Sequence, residues 1–372
     1  ENDSYNDKVT IHGKGLNGLC KPNDILDVGN SGTTMRLISG ILCGQSYGSI
    51  LTGDASIQKR PMERIITPLT NMGGDIKSIN GNNNAPLIIN STPDKQTKLK
   101  GIHYISPVAS AQIKSCILLA GLYAEGETLV TEPSLSRNHT ELMLREFGAD
   151  VSNVGNTAII KPHPDLKGRR ICVPGDISSA AYFIVAGLII PNSEIVIKNV
   201  GINPTRDGII QVCKKMGADI SLENVINDGG EPVADIVVRY SELTGIEIGG
   251  SIIPTLIDEI PAIAILACFA KGQTIIKDAT ELKVKESNRI DVMTDNLSKM
   301  GANITATEDG MIINGGKPLH GAEIESKSDH RIAMSFAIAS MLAEGETQIK
   351  DAECVNISYP NFYSDLKKLY DI

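Results

Sequence analysis

Seven short stretches of this chain gather the residue types that hold anions or move protons. In GNSGTTMR (29–36), glycine backbone and hydroxyls open a helical pattern. Exposed N–H groups and the helix dipole there suit an anion, and an ordinary N-cap turn accounts for the same residues. The phrase is neither a GxxxxGK[ST] phosphate loop nor a GxGxxG fingerprint. IQKRP places Lys59 and Arg60 ahead of Pro61, in the extended conformation that a following proline favours. Arginine is the natural fork for carboxylate or phosphate, although a surface charge pair reads the same way. SPVASAQIKS gathers Ser106, Ser110, Gln112 and Ser115 at a helix start, where capping explains one serine only.

SLSRNHTE sets Arg137 and His139 before a helix whose first turn carries Thr140 and Glu141; His139 reads as a structural residue. PTLIDEIPAIAIL puts Asp258 and Glu259 at the mouth of a nearly all-apolar helix. A carboxylate so placed can cap the helix or serve as a base. ELKVKESNRID is the densest cluster, with Glu281, Lys283, Lys285, Glu286 and Arg289. Its Lys285 and Arg289 are expected as an i,i+4 pair on one helix face, which is either solvated or a site where two cations converge. SDHRIAM sets Asp329, His330 and Arg331 ahead of another apolar helix, with Asp329 a candidate cap.

Other chemistries find less support. The six histidines are isolated and show no zinc spacing, so no metal site is expected. GxSxG is absent, which leaves a dispersed Ser-His-Asp triad open. A net charge of -9 and 4% aromatic residues argue against a nucleic-acid partner or an anionic membrane surface. The apolar runs near 180–190 and 260–270 fall short of the roughly 20 residues that a bilayer span needs. Seven cysteines without CxxC spacing, several inside runs such as KSCILLAG and ILACFA, read as buried thiols, and a reducing cytoplasm is expected.

These stretches are positioned by a repeat. NMGGDI, EFGADV, KMGADI and KMGANI put glycine at 73, 148, 217 and 301, each after a helical pattern and before a β-rich one. Each glycine is expected to end its helix in the left-handed conformation. A second phrase, AEGETLVTE, IPNSEIVIKN, AKGQTIIKD and AEGETQIKD, turns into a short strand. The repeating unit is therefore strand, helix, strand, helix and further strand, ending at DLKKLYDI. KVTIHGKG (8–15) reads as the closing strand of another unit, with on the order of 60 residues expected upstream from the repeat period. The chain opens Glu1-Asn2-Asp3 without an initiator methionine, and no signal peptide is visible. Length favours two domains, and the fresh apolar helix of VPGDISSAAYF sets the boundary near 173: a first, incomplete lobe over 1–173 and a second over 174–372.

Taken in order, GNSGTTMR, QKRP, SAQIK, RNHTE, PGDISSAAYF, NPTR, IDEIP, LKVKESNR and DHRIAM resemble the 5-enolpyruvylshikimate-3-phosphate synthases over essentially the whole chain. RNHTE, SAQIK and NPTR resemble the class II branch, which tends to tolerate glyphosate. The resemblance implies an α/β fold: a two-domain inside-out α/β barrel of repeated βαβαββ units, helices inward and sheets outward. It also implies one cleft toward which helix N-termini of both lobes point. The implied reaction transfers the enolpyruvyl group of phosphoenolpyruvate to the 5-hydroxyl of shikimate 3-phosphate in the shikimate pathway, releasing phosphate without metal or cofactor, in a monomer.

By the same resemblance, Ser110, Ala111, Gln112, Ser136 and Arg137 would bind shikimate 3-phosphate. Asp258 would orient or deprotonate the 5-hydroxyl, with Lys285 beside it. Gly32, Arg60, Gln112, Arg289 and Arg331 would hold phosphoenolpyruvate, and Glu286 would move a proton at its methylene carbon. Two departures stand out. Ile357 occupies a position where many members carry lysine, and the family's opening PGDKSxSxR is absent, PGDISS (174–179) being its cousin in the other lobe. Without that opening segment, the chain is alternatively a non-catalytic remnant that binds shikimate 3-phosphate. The related UDP-N-acetylglucosamine enolpyruvyl transferases generally use a loop cysteine, which ASIQKRP lacks.

Overall fold

The computed structural model describes residues 2–3, 8–90, 98–227 and 230–369 and divides into two compact units, Glu1–Ile171 and Cys172–Ile372. The first opens with a short antiparallel pair, β1 (Asn2–Asp3) and β2 (Lys8–Val9). The strand expected over 8–15 thus ends at Val9, and irregular backbone follows until β3 (Leu26–Asp27). Then come α1 (Gly32–Cys43), β4 (Ser49–Thr52), α2 (Glu63–Asn71), β5 (Ile76–Ser78) and β6 (Leu87–Ile89). The same series recurs as β7 (His103–Ile105), α3 (Ala111–Gly121), β8 (Thr128–Thr131), α4 (His139–Glu146), β9 (Val151–Val154) and β10 (Thr157–Ile160).

The second unit begins with α5 (Ile177–Ile189), β11 (Glu194–Gly201), α6 (Gly208–Lys215), β12 (Asp219–Ile226) and β13 (Val233–Arg239). It continues through β14 (Glu247–Ile248), α7 (Ile253–Leu256), α8 (Ile260–Phe269), β15 (Gln273–Ile276), α9 (Arg289–Lys299), β16 (Asn303–Ala306) and β17 (Met311–Asn314). Last are β18 (Glu323–Glu325), α10 (His330–Ser340), β19 (Gln348–Lys350) and α11 (Phe362–Lys368). Residues 370–372, which close DLKKLYDI, lie outside the described residues.

One sheet pattern is used throughout. In β3-β4-β6-β5, β7-β8-β10-β9 and β14-β15-β17-β16, the first two strands are parallel and the rest antiparallel. A parallel pair requires a crossover, and α1, α3 and α8 lie in those crossovers. In β11-β13-β12 a single parallel bridge from Gly175 to Val200 stands in for the first strand, while β18 and β19 form a parallel pair.

The recurring glycines do the same job four times. Gly73, Gly148, Gly217 and Gly301 have φ of 91°, 99°, 92° and 86°. Each donates to the carbonyl three residues back at 2.9–3.1 Å, and the following N–H reaches five residues back at 2.8–3.0 Å. That is the Schellman closure, for which a side chain at the left-handed position is a strain. The second phrase also turns through positive φ, at Gly126, Asn192, Gly272 and Gly345; asparagine is the side-chain residue that tolerates it best.

The crossover helices form the cores. In the second unit α5 and α8 are buried along nearly their whole length, and they pack with α10. Strand β11 alternates exposed and half-buried residues from Glu194 to Lys198, so this stretch keeps one face toward solvent. Tyr182, Phe183, Tyr359 and Phe362 pack edge-on or tilted at 5.7–6.0 Å, fastening the stretch after β19 to α5. In the first unit a Cβ on Gly40 of α1 would stand 2.2 Å from the Cys116 carbonyl oxygen of α3. Only glycine permits that approach, which lays the two helices side by side.

Candidate active site

In the first unit, the close packing of α1 on α3 brings two helix starts together. Ser31 is extended and its Oγ accepts the Thr34 N–H at 3.1 Å, so GNSGTTMR does contain an N-cap. It also forms a cradle. A Cβ on Gly32 would lie 3.1 Å from Arg60 Nη1 and 3.3 Å from Arg36 Nη1, so two guanidinium groups meet over a helix turn that carries no side chain. Arg36 Nη1 donates to Gln112 Oε1 at 2.6 Å and Nη2 to the Pro61 carbonyl at 3.3 Å; Gln112 Nε2 donates to Thr33 Oγ1 at 2.9 Å. Arg60 is extended before Pro61, as the dipeptide predicts. Gly32, Arg60 and Gln112 are thus neighbours, with an arrangement fit for a small anion.

Sequence reasoning missed Arg36. It ends the GNSGTTMR phrase, and its partner Gln112 lies 76 residues away. The available signal was its place four residues after Gly32, on the same helix face.

Ser110 caps α3, its Oγ 3.5 Å from the Ile113 nitrogen, and Ala111 opens the helix. Ser136 is buried and Arg137 half-buried in the loop before α4, whose first residue is His139.

In the second unit the chemistry-bearing side chains interlock. Asp258 Oδ1 lies 3.1 Å from Lys285 Nζ and 3.5 Å from Arg289 Nη1, and the Asp258 carbonyl accepts from Arg331 Nη1 at 3.0 Å. Arg289, 1% exposed, forks onto Asp329 through Nε (2.8 Å) and Nη2 (3.2 Å), and reaches Glu286 Oε2 at 2.5 Å. Asp329 caps α10 by accepting the Arg331 N–H, as its position predicts, and accepts from Ser287 Oγ as well. Burial works to raise its carboxyl pKa, but the Arg289 charge prevails and holds it below the usual value. Burial, reinforced by the charge of Arg331, lowers the pKa of His330.

Glu259, read with Asp258 as a cap or a base, makes no capping hydrogen bond and is a buried acceptor. It takes a hydrogen bond from Ser178 Oγ and has Arg331 Nη1 at 3.6 Å and Arg206 Nη2 at 3.9 Å. Asp176 of PGDISS caps α5 and holds Arg206 of NPTR at 3.2 Å. Those two phrases therefore support the cation cluster.

One expectation needs correcting. Lys285 and Arg289 do not share a helix face: a 3₁₀ turn over Thr280–Val284 ends just before Lys285, and α9 begins at Arg289 behind the Asn288 cap. They meet because both reach Asp258. Ile357 closes a 3₁₀ turn and is 62% exposed, so no buried cation is replaced there.

Among the described residues no cluster of three or more His, Cys, Asp or Glu is arranged to hold a metal ion, and no single helix is long and apolar enough to cross a membrane. A family model described as EPSP synthase (3-phosphoshikimate 1-carboxyvinyltransferase) matches residues 1–366. This chain belongs to the EPSP synthase family. Among curated relatives, the 3-phosphoshikimate 1-carboxyvinyltransferase of Thermoanaerobacter sp. (strain X514) is 58% identical over 361 residues, which cover 97% of this chain and 84% of the relative. That of Bacillus cytotoxicus is 54% identical over 367 residues, covering 99% and 85%. A solved EPSP synthase from Acinetobacter baumannii superposes with a TM-score of 0.88 at 50% identity, covering 98% of this chain and 83% of that one. The two-domain α/β fold of EPSP synthases is therefore the fold of this chain.

Proposed function

We propose that this chain transfers the enolpyruvyl group of phosphoenolpyruvate to the 5-hydroxyl of shikimate 3-phosphate. The observation that carries the reading is the Asp258 carboxylate, gripped by Lys285 and Arg289 beside Glu286 and Arg331 within one EPSP synthase unit. In the reaction a bond forms between the 5-hydroxyl oxygen and the enolpyruvyl carbon that bears phosphate. The bond from that carbon to the phosphate oxygen breaks, and the hydroxyl proton is released.

Asp258 accepts the hydroxyl hydrogen bond and aims the attacking oxygen, while Lys285 keeps the carboxylate in place. Glu286 serves the methylene carbon, which must take up and give back a proton for the double bond to open and reform. Arg331 and Arg289 are assigned to the carboxylate and phosphate of phosphoenolpyruvate; Arg60, Gln112 and the Gly32 turn are likewise assigned to phosphoenolpyruvate, and Arg36 extends that first-unit set. Ser110, Ala111, Gln112, Ser136 and Arg137 hold shikimate 3-phosphate. A monomer acting in the cytoplasm fits these roles.

The test is phosphate release from the purified chain. Release is expected only when both substrates are present. Binding of shikimate 3-phosphate without release would overturn the transferase reading.

A further inference from the structure

Beneath the serines of the first unit lies a buried ion cluster with no part in the roles above. Lys114, Glu132 and Glu141 are 2%, 3% and 1% exposed. Lys114 Nζ stands 2.9 Å from Glu132 Oε2 and 2.9 Å from Glu141 Oε1. Two carboxylates thus share one ammonium, an arrangement whose desolvation is costly. Two carboxyl groups against one amine leave no surplus cation to attract a phosphate, so any service to an anion site must be geometric.

The hydrogen bonds show which geometry. Glu132 Oε1 accepts the Ser110 N–H at 2.9 Å, and Oε2 accepts the Ser136 N–H at 3.3 Å. Lys114 Nζ donates in turn to the Ser136 carbonyl at 3.4 Å. One carboxylate therefore fixes the backbone of two loops that are separate in sequence. Glu141, from the first turn of α4, pairs with the same ammonium.

We infer that Glu132 is a positioning residue for the shikimate 3-phosphate site: it sets the spacing of Ser110 and Ser136 before the ligand arrives, with Lys114 bridging it to the Ser136 carbonyl. This rests on the assignment of those serines to shikimate 3-phosphate. Ordering the two loops in advance removes part of the entropy that binding would otherwise lose.

Calorimetric titration of shikimate 3-phosphate into wild type, Glu132→Gln and Glu141→Gln tests it. A carboxamide has one acceptor oxygen for two N–H groups, so Glu132→Gln is expected to weaken binding about tenfold or more. Glu141→Gln is expected to lower the melting temperature at least as much while keeping affinity within about threefold. Equal losses of affinity in both variants would make the cluster merely structural and overturn the inference.

Amide hydrogen exchange on the wild-type chain decides the matter even where Glu132→Gln does not fold. Ser110 and Ser136 should be protected before any ligand is added. Exchange at open-loop rates would overturn the inference. A wild-type chain with protected amides that does not bind shikimate 3-phosphate would refute the functional reading and leave the clamp standing.

Discussion

The two units hold their arginines in different ways. Around Gly32, Arg36 is oriented by neutral oxygens, those of Gln112 and Pro61, and the turn it faces has no side chain. In the second unit, Arg289, Arg331, Lys285 and Arg206 are laced to Asp258, Glu259, Glu286, Asp329 and Asp176, several of them buried. The first arrangement is shaped like a receptor for an anion. The second is a scaffold in which the carboxylates fix the cations, at the cost of burying charge. Removing a residue of the Gly32 cradle should therefore affect binding, and removing one of the second-unit network should affect stability or turnover.

Asp329→Ala should give the largest effect. It strips Arg289 of a bidentate partner in a buried setting and α10 of its cap, so chemical denaturation should show a loss of about 3–5 kcal/mol. A loss under about 1 kcal/mol would mean that water reaches Arg289 and that the contrast between units is overstated. Lys285→Ala comes next. Its ammonium is at the edge of the network, so turnover should fall about 100-fold or more while the melting temperature holds. Unchanged kinetics would remove Lys285 from the chemistry.

Gln112→Ala probes the first unit. It removes the acceptor 2.6 Å from Arg36 Nη1, and phosphoenolpyruvate binding should weaken about tenfold with little change in stability. A marked fall in melting temperature would show that this cradle too is structural. The smallest effect concerns pH. In the unfolded chain His330 takes up its proton near 6.5, whereas in the folded chain it does so lower. Below 6.5 the unfolded state therefore binds more protons, so stability should fall as pH drops from 6.5 toward the folded value and be flat above it. His330→Gln should remove that slope in denaturation curves taken across this range.

The contrast also marks what could be read from the chain directly. The four closing glycines and the turn phrases were legible because each function is local: a left-handed residue has to sit at a fixed offset from a helix end. Asp329 as a cap was legible for the same reason. Its grip on Arg289, 40 residues upstream, was not, because nothing in either phrase specifies the other. Lys285 and Arg289 show how spacing can mislead. The i,i+4 interval suggested a shared helix, yet the backbone breaks between them and a distant carboxylate unites them. Lys114 and Glu132 went unread because their meaning lies entirely in tertiary neighbours, and Arg36 because its partner Gln112 is 76 residues away.

The sheet pattern carries a kinetic consequence. Each four-stranded sheet is completed by one continuous stretch of chain; that of β3 to β6 runs from Leu26 to Ile89. Most strand pairing therefore joins residues that are near in sequence, although the chain is long. Sheets closed within one stretch of chain let a polypeptide of this size assemble in stages, each sheet nucleating without waiting for another. Pulse-labelling during refolding should reveal separate blocks of protection that coincide with the sheets.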